Sequence, residues 1–135
     1  MCIFCEIAKK NIKSHIVYED DVCMAFLDLS QATVGHTLVI PKTHYANIFD
    51  VEEEVLSHMI GVAKKIALRL SETLGVTDIN ILNNSGARAG QSVMHFHIHI
   101  IPRYDNDNFS FAFKSNKLTE KEFLNLTNKI KFKTK

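Results

Sequence analysis

Three histidines alternate with apolar residues in the run Val93-Met94-His95-Phe96-His97-Ile98-His99-Ile100-Ile101-Pro102. Alternation in a segment rich in β-branched and aromatic residues predicts a strand, with His95, His97 and His99 on one face and Phe96, Ile98 and Ile100 on the other. Imidazole titrates near neutral pH, so such a row offers a nucleophile, an acid, a base or a metal ligand. The competing reading, a set of satisfied or solvated sheet histidines, gives no reason for three in register. Strand residues rise about 3.3 Å each, which separates the Cα atoms of His95 and His99 by roughly 13 Å, whereas zinc ligands lie about 2 Å from the metal. The three cannot share one ion.

Two further groups could do chemistry. Cys2-Ile-Phe-Cys5 has the C-x-x-C spacing of a metal chelate or a redox pair. A redox pair normally sits between a strand and a helix, and no strand precedes this one, which favours the chelate. With no second C-x-x-C, the other ligands of a zinc site would be histidines, and spacing leaves His15, His36, His44, His58 and the triad open. The stretch Asn83-Asn84-Ser85-Gly86-Ala87-Arg88-Ala89-Gly90-Gln91-Ser92 is polar and punctuated by glycine. Glycines let backbone amides approach an anion, and Asn84, Gln91 and Ser92 add neutral donors, a set suited to phosphate oxygens. Taken alone it would read as a plain hairpin connection; its place beside the imidazoles gives it weight.

Those groups need a scaffold, and the patterning supplies one. A short helical stretch over 6–10 precedes strands at Ile16–Glu19 and Val22–Asp28, joined by a turn at Asp20-Asp21. A third strand, His36–Ile40, follows Gly35 and is closed by Pro41. The period then changes: Val55, Leu56, Met59, Ile60, Ala63, Ile66, Ala67, Leu70 and Leu74 recur at three and four, predicting an amphipathic helix from Val51 to Leu74, with Asp50 and Glu53 as a capping box and Gly75 as the stop. Strand four is expected over Asp78–Leu82 and strand five is the histidine run. Phe109, Phe111 and Phe113 suggest a strand-like arm packed on the core or on a partner subunit. Thr119 and Glu122 form a second capping pattern that opens a helix carrying Phe123, Leu124, Leu126, Thr127 and Ile130. Lys129, Lys131, Lys133 and Lys135 then alternate in what reads as a solvated terminus.

Bulk properties narrow the function classes. The chain has 135 residues, enough for one core, with 46% hydrophobic and 23% charged residues. Sixteen basic and fifteen acidic side chains leave a net charge of +1, which gives no field for nucleic acid or an anionic membrane. Neither a signal peptide nor a membrane span is indicated, and the expected location is cytoplasmic. Cys23 reads as a small buried hydrophobe.

The run His95-Phe96-His97-Ile98-His99-Ile100-Ile101 resembles the pattern of the histidine triad (HIT) family. The flanking Gly90-Gln91-Ser92-Val93, the segment His36-Thr37-Leu38-Val39-Ile40-Pro41-Lys42-Thr43-His44 and Ala25-Phe26-Leu27-Asp28 are also similar to that family, so the resemblance covers Cys2 to Arg103. It implies an α+β domain spanning 1–135, with a core over 1–105 and a C-terminal arm and helix over 106–135. The core would hold a five-stranded antiparallel sheet and a long central helix, and two copies would join into a homodimer with a ten-stranded sheet.

The chemistry implied is hydrolysis or transfer at the α-phosphate of a nucleoside 5′-phosphoramidate or adenylylated compound. His97 would attack phosphorus and become transiently nucleotidylated, its other nitrogen held by a backbone carbonyl near the first histidine. His99 and His36 would flank the phosphate as catalytic partners. Ser92 and Asn84 would hold phosphate oxygens and assist the leaving group, with Gly90, Gln91 and Val93 adding donors. Asp28 matches the acidic position that bonds ribose hydroxyls, and Ile3, Phe4, Phe26 and Leu27 could line a base pocket or simply pack. The branch that carries C-x-x-C implies one structural zinc per subunit on Cys2, Cys5, His44 and His95. The implied substrate is a purine nucleotide such as an AMP or GMP derivative. A dinucleoside polyphosphate hydrolase is the runner-up, and a zinc-stabilised nucleotide-binding or interaction protein with little turnover is the alternative of another class. A redox or metal-storage protein built on Cys2 and Cys5 would leave the triad unexplained.

Overall fold

The computed structural model describes residues 1–133, so Lys135 lies outside the described residues. Five strands, β1 (Ile16–Glu19), β2 (Cys23–Leu27), β3 (Thr37–Pro41), β4 (Ile79–Leu82) and β5 (Ile98–Pro102), form one antiparallel sheet in the order β1-β2-β3-β5-β4. Among the described residues three α-helices accompany it, α1 (Ile3–Ala8), α2 (Glu53–Leu74) and α3 (Glu120–Ile130), with one 3-10 turn at Ala87–Ala89. The first three strands form a meander. Helix α2 then crosses the sheet and returns the chain as the β4–β5 pair, with β5 inserted beside β3. This is the expected α+β architecture.

Every residue of β3 is buried, and β2 is buried at four of its five positions. Such continuous burial requires cover on both faces. On one face Cys23, Ala25, Val39, Phe96, Ile98 and Ile100 pack against Met59, Val62, Ala63 and Ile66 of α2. On the other, Met24, Phe26, Leu38 and Ile40 pack against Phe4 and Ile7 of α1. Burying each large apolar side chain contributes about 1.5–3 kcal/mol.

Three local expectations are corrected. Asp50 does not cap α2. Its carboxylate accepts from the amides of Ala46 and Asn47 at 3.0 and 2.9 Å, so the helix starts at Glu53 with Glu52 as a cap that makes no side-chain bond. Helix α1 begins earlier than expected, at Ile3, because the Cys2 sulfur accepts the Cys5 amide, and it ends before Lys10, which sits at a left-handed φ of 64°. The histidine run becomes regular strand only at Ile98. Upstream, the Phe96 amide bonds the Tyr45 carbonyl at 2.6 Å instead of a ladder partner, and β3 beyond Val39 no longer pairs with β5. The two-residue alternation of faces continues through this irregular stretch all the same.

Other signals carried through. Asp20 makes the β1–β2 turn by accepting from the amides of Val22 and Cys23. Gly75 ends α2 at φ 72°, a conformation glycine adopts without penalty. Thr119 and Glu122 form both bonds of a capping box at α3. The phenylalanine arm is not a strand: Phe109 stacks against Phe111 and the Arg103 guanidinium, while Phe113 is exposed. No helix among the described residues is long and apolar enough to cross a membrane.

Candidate functional site

The imidazoles of His97 and His99 lie on the face of the sheet opposite α2, with ring centroids 4.9 Å apart. His97 is 5% exposed, and Phe4 meets its ring edge-on at 5.1 Å. Its Nδ1 lies 2.7 Å from the His95 carbonyl oxygen. A carbonyl can only accept, so Nδ1 carries the proton and Nε2 keeps its lone pair. Burial holds this imidazole below the ordinary histidine value. A buried, neutral ring with a free Nε2 lone pair is the state a histidine nucleophile requires at neutral pH.

The same reasoning fixes two more rings. The Ala32 amide donates to His36 Nδ1 at 3.1 Å, so the His36 proton resides on Nε2. That nitrogen is 2.9 Å from His99 Nδ1 and 3.6 Å from an Asp28 carboxylate oxygen. His36 therefore donates to His99 Nδ1, and a neutral His99 carries its own proton on Nε2 as a donor for a ligand. Burial, then the neighbouring histidines, push His99 down to about 4, and burial lowers His36 as well. Asp28, His36 and His99 are close enough to suggest a metal triad. The Ala32 bond argues against one, since a metal on His36 Nε2 would require an imidazolate.

This network makes a measurable prediction. Long-range ¹H–¹⁵N NMR should find His36 and His99 as neutral Nε2–H tautomers at pH 7, with His99 uncharged down to pH 5. An Nδ1–H signal for either would contradict the relay. Stability follows from linkage. Between 6.5, the ordinary histidine value, and about 4, where folded His99 titrates, the unfolded chain binds more protons. The stability is complete above 6.5 and declines as pH falls through that window, so the urea midpoint should drop from pH 7 to pH 5.

The glycine-punctuated loop borders these rings. Asn83 donates to the His97 carbonyl at 2.9 Å and accepts from Ser85 at 2.6 Å, which fixes the backbone of the central histidine from the far side. Gln91 is 6% exposed and its amide is fully engaged, accepting from Gly86 and donating to Ala46 and Val93. Its side chain ties the loop together and is not free for phosphate. Gly90 stands at φ 92° beside the Asn84 side chain, and its amide and that of Gln91, expected as donors, are instead spent on the Ala87 and Gly86 carbonyls at 3.0 and 3.1 Å. Ser92 is exposed and Val93 half-buried. Asp28 is half-buried; one carboxylate oxygen takes the Ser30 amide and the other faces His36. Of the four apolar base-pocket candidates, Phe4 and Phe26 pack edge-to-face on each other in the core, while Ile3 and Leu27 keep exposed surface.

A second cluster lies one step upstream. Cys2 Sγ is 3.4 Å from His95 Nδ1; Cys5 Sγ is 3.2 Å from His44 Nδ1 and 3.5 Å from His95 Nδ1; the two Nδ1 atoms are 3.1 Å apart. All four donor atoms lie within 4.8 Å of one another. A tetrahedral zinc with ligands at about 2.3 Å for sulfur and 2.0–2.1 Å for nitrogen sets N···S edges near 3.6 Å and N···N edges near 3.3 Å. The fit is close. His95 Nε2 donates to the Pro41 carbonyl at 2.9 Å, which turns the Nδ1 lone pair toward the cluster in the way outer partners orient metal-ligating histidines. The other candidates stand elsewhere: His58 pairs with Asp20 at 2.6 Å, and His15 is exposed. Burial and the Asp20 carboxylate push the Cys23 thiol up to about 12, leaving it inert.

Sequence reasoning missed Asn83, Gln31 and Ala32. Gln31 donates to the Asp28 and His36 carbonyls and accepts from the Gly35 amide, holding the turn whose Ala32 amide sets the His36 tautomer. All three act through main-chain groups, which leave no trace in residue type.

Known proteins share this fold. Residues 9–106 match the HIT domain model. The chain is 47% identical over 115 residues to "Protein hit" of Bacillus subtilis, covering 84% of this chain and 79% of that one. It is 38% identical over 106 residues to the Adenylylsulfatase HINT3 of Arabidopsis thaliana, spanning 78% of this chain and about half, 54%, of that protein. A crystal structure of a HIT family protein from Bacillus anthracis, 46% identical, superposes with a TM-score of 0.89 over 96% of this chain and 94% of that one. A Zn-bound histidine triad family protein from Mycobacterium smegmatis, 37% identical, superposes with a TM-score of 0.77 over 85% of this chain and 84% of that one. With the family model matching most of its length and these relatives identical at more than a third of the aligned residues, the chain belongs to the HIT-domain family.

Proposed function

We propose that the protein is a nucleotidyl hydrolase that cleaves at the α-phosphate of purine nucleoside 5′-phosphoramidates or other adenylylated compounds. The observation that carries this reading is the His97 ring, with its Nδ1–H held by the His95 carbonyl and its Nε2 lone pair free. Nε2 attacks phosphorus and an N–P bond forms. The bond to the leaving group breaks: an acid departs as its stable anion, and an amine departs with a proton that reaches it from solvent through the Ser92 hydroxyl, while His99 Nε2–H only hydrogen-bonds, since giving that proton up would leave an imidazolate. Water then attacks the cationic nucleotidyl-His97, releasing the nucleoside monophosphate and one proton to solvent and restoring the neutral imidazole. His99 and the amides of Ser92 and Val93 stabilise the phosphoryl oxygens as charge develops. Asp28 accepts from the ribose hydroxyls, and Asn84 contacts a phosphate oxygen.

Cys2, Cys5, His44 and His95 would hold one zinc ion. When bound, the metal would supply a structural cross-link between α1 and the extended segment that carries the nucleophile. The site's donor set leaves no position for a catalytic water. Two copies would pair along α2 and the edge strand β4, where Ile48, Ile60 and Ile81 are exposed beside a groove of about 260 Å³.

The name of the Arabidopsis relative points to adenylyl sulfate, a mixed anhydride of the same adenylylated class. A panel of adenosine 5′-phosphoramidate, adenosine 5′-phosphosulfate and diadenosine polyphosphates tests the reading. Release of AMP from the first two, faster than from the polyphosphates, is expected. A preference for polyphosphates selects the runner-up activity, and no turnover of any member leaves only a binding role.

A further inference from the structure

A hollow lies on the reverse of the catalytic face, between the second half of α2 and the β1 edge of the sheet. Its volume is about 600 Å³, within the roughly 300–1,000 Å³ of small-molecule sites. Val17, Leu27, Ile66 and Leu70 form its apolar walls. Faces alternate along a strand, so Leu27 and Thr37 look into the hollow while their neighbours Asp28 and His36 turn to the imidazoles. It is no part of the nucleotide site. It also stands at the sheet edge opposite β4, away from the groove at Ile60 and Ile81.

The free side-chain groups select the ligand. Three hydroxyls border the hollow and all are spent, Tyr18 on Asp20 at 2.7 Å, Thr37 on the Gly35 carbonyl at 2.9 Å and Thr73 on the Arg69 carbonyl at 2.8 Å. No acidic residue lines it. Two exposed cations remain, Lys65 and Arg69, one helical turn apart on the same side of α2. Lys65 makes no ion pair among the described residues. Arg69 meets only Glu72, at 3.6 Å with both side chains mostly exposed, a contact that contributes little. Apolar walls beside two available positive charges, with no free neutral side-chain donor or acceptor, offer nothing to a nucleobase or sugar.

We propose that this hollow binds a fatty carboxylate, with its alkyl chain against Val17, Leu27, Ile66 and Leu70 and its carboxylate held by Lys65 and Arg69. A peptide added to the β1 edge fits less well. That strand has four residues, and its register slips between Ile16 and Tyr18, features that blunt an edge against strand addition.

The test titrates decanoate, kept below its micelle concentration, into the full chain by calorimetry, beside decanol, acetate and anionic phospholipid vesicles. One decanoate per chain should bind, at least about tenfold more tightly than decanol or acetate, with methyl NMR shifts at Val17, Leu27, Ile66 and Leu70. Lys65→Gln with Arg69→Gln alters two exposed side chains, so the circular dichroism spectrum should be unchanged while binding weakens at least about tenfold. Val17→Trp keeps both charges and should block the alkyl chain. No saturable binding, decanol binding as tightly as decanoate, shifts confined to Ile60 and Ile81, or capture by vesicles alone overturns the proposal. So does a Lys65→Gln, Arg69→Gln protein that binds as the wild type does.

Discussion

His97→Ala should lower turnover of adenosine 5′-phosphoramidate by roughly 10⁴-fold or more, the scale seen when a covalent nucleophile is deleted. Nothing else in the site can substitute. His99 Nδ1 accepts from His36 and its Nε2 carries a proton, so its ring offers no free lone pair while that relay is intact. His95 spends Nε2 on Pro41 and turns Nδ1 to the cysteines. His99→Ala should cost less, on the order of 10²–10³-fold, because it removes a donor to the developing charge and keeps the nucleophile. Steady-state kinetics with circular dichroism as a folding control separates the two. Equal losses for both variants would mean that His97 is not singled out. Nucleotide affinity should change only a few-fold in His97→Ala, since Asp28 and the loop amides remain.

The second large effect is on stability. Removing zinc with a chelator, or replacing Cys5 by serine, should lower the melting temperature by about 10 °C. Helix α1 spans six residues, too few to persist alone, and it is held by Phe4 and Ile7 against Met24, Phe26, Leu38 and Ile40 and by the four-residue cluster. Metal binding to the folded form alone contributes about 4 kcal/mol at a thousandfold excess over its dissociation constant, and each kcal/mol shifts the midpoint by a few degrees. Calorimetry with and without chelator, beside elemental analysis for one zinc per chain, measures it. Metal-free protein purified without chelator would contradict the assignment.

Much of this was legible in the residues, for reasons particular to each. The alternation in 93–102 correctly sorted imidazoles from apolar side chains, because the faces of an extended chain alternate even where the ladder has ended. It overstated the strand, since nothing local reveals that Phe96 would bond Tyr45. Asp50 had the spacing of a cap, but an Asp is equally able to close a turn, and here the upstream amides of Ala46 and Asn47 take it. Spacing leaves all seven histidines open as partners of Cys2 and Cys5; the resemblance singles out His44 and His95, and the geometry brings those two to the cysteines. Gln91 looked like a phosphate donor because an exposed-loop amide usually is free, whereas this one is buried. The tautomer relay through Ala32, His36 and His99 lay beyond sequence reasoning, as it begins at a backbone amide.

The proposed chemistry turns on a covalent bond to one ring. Brief incubation with adenosine 5′-phosphoramidate, an acid-free quench and intact-mass spectrometry should show the mass of one adenylyl group added to the wild-type chain. Peptide mapping should place it on His97, and His97→Ala should lack it. Turnover without any adduct, or an adduct on His99 or another residue, would contradict the account.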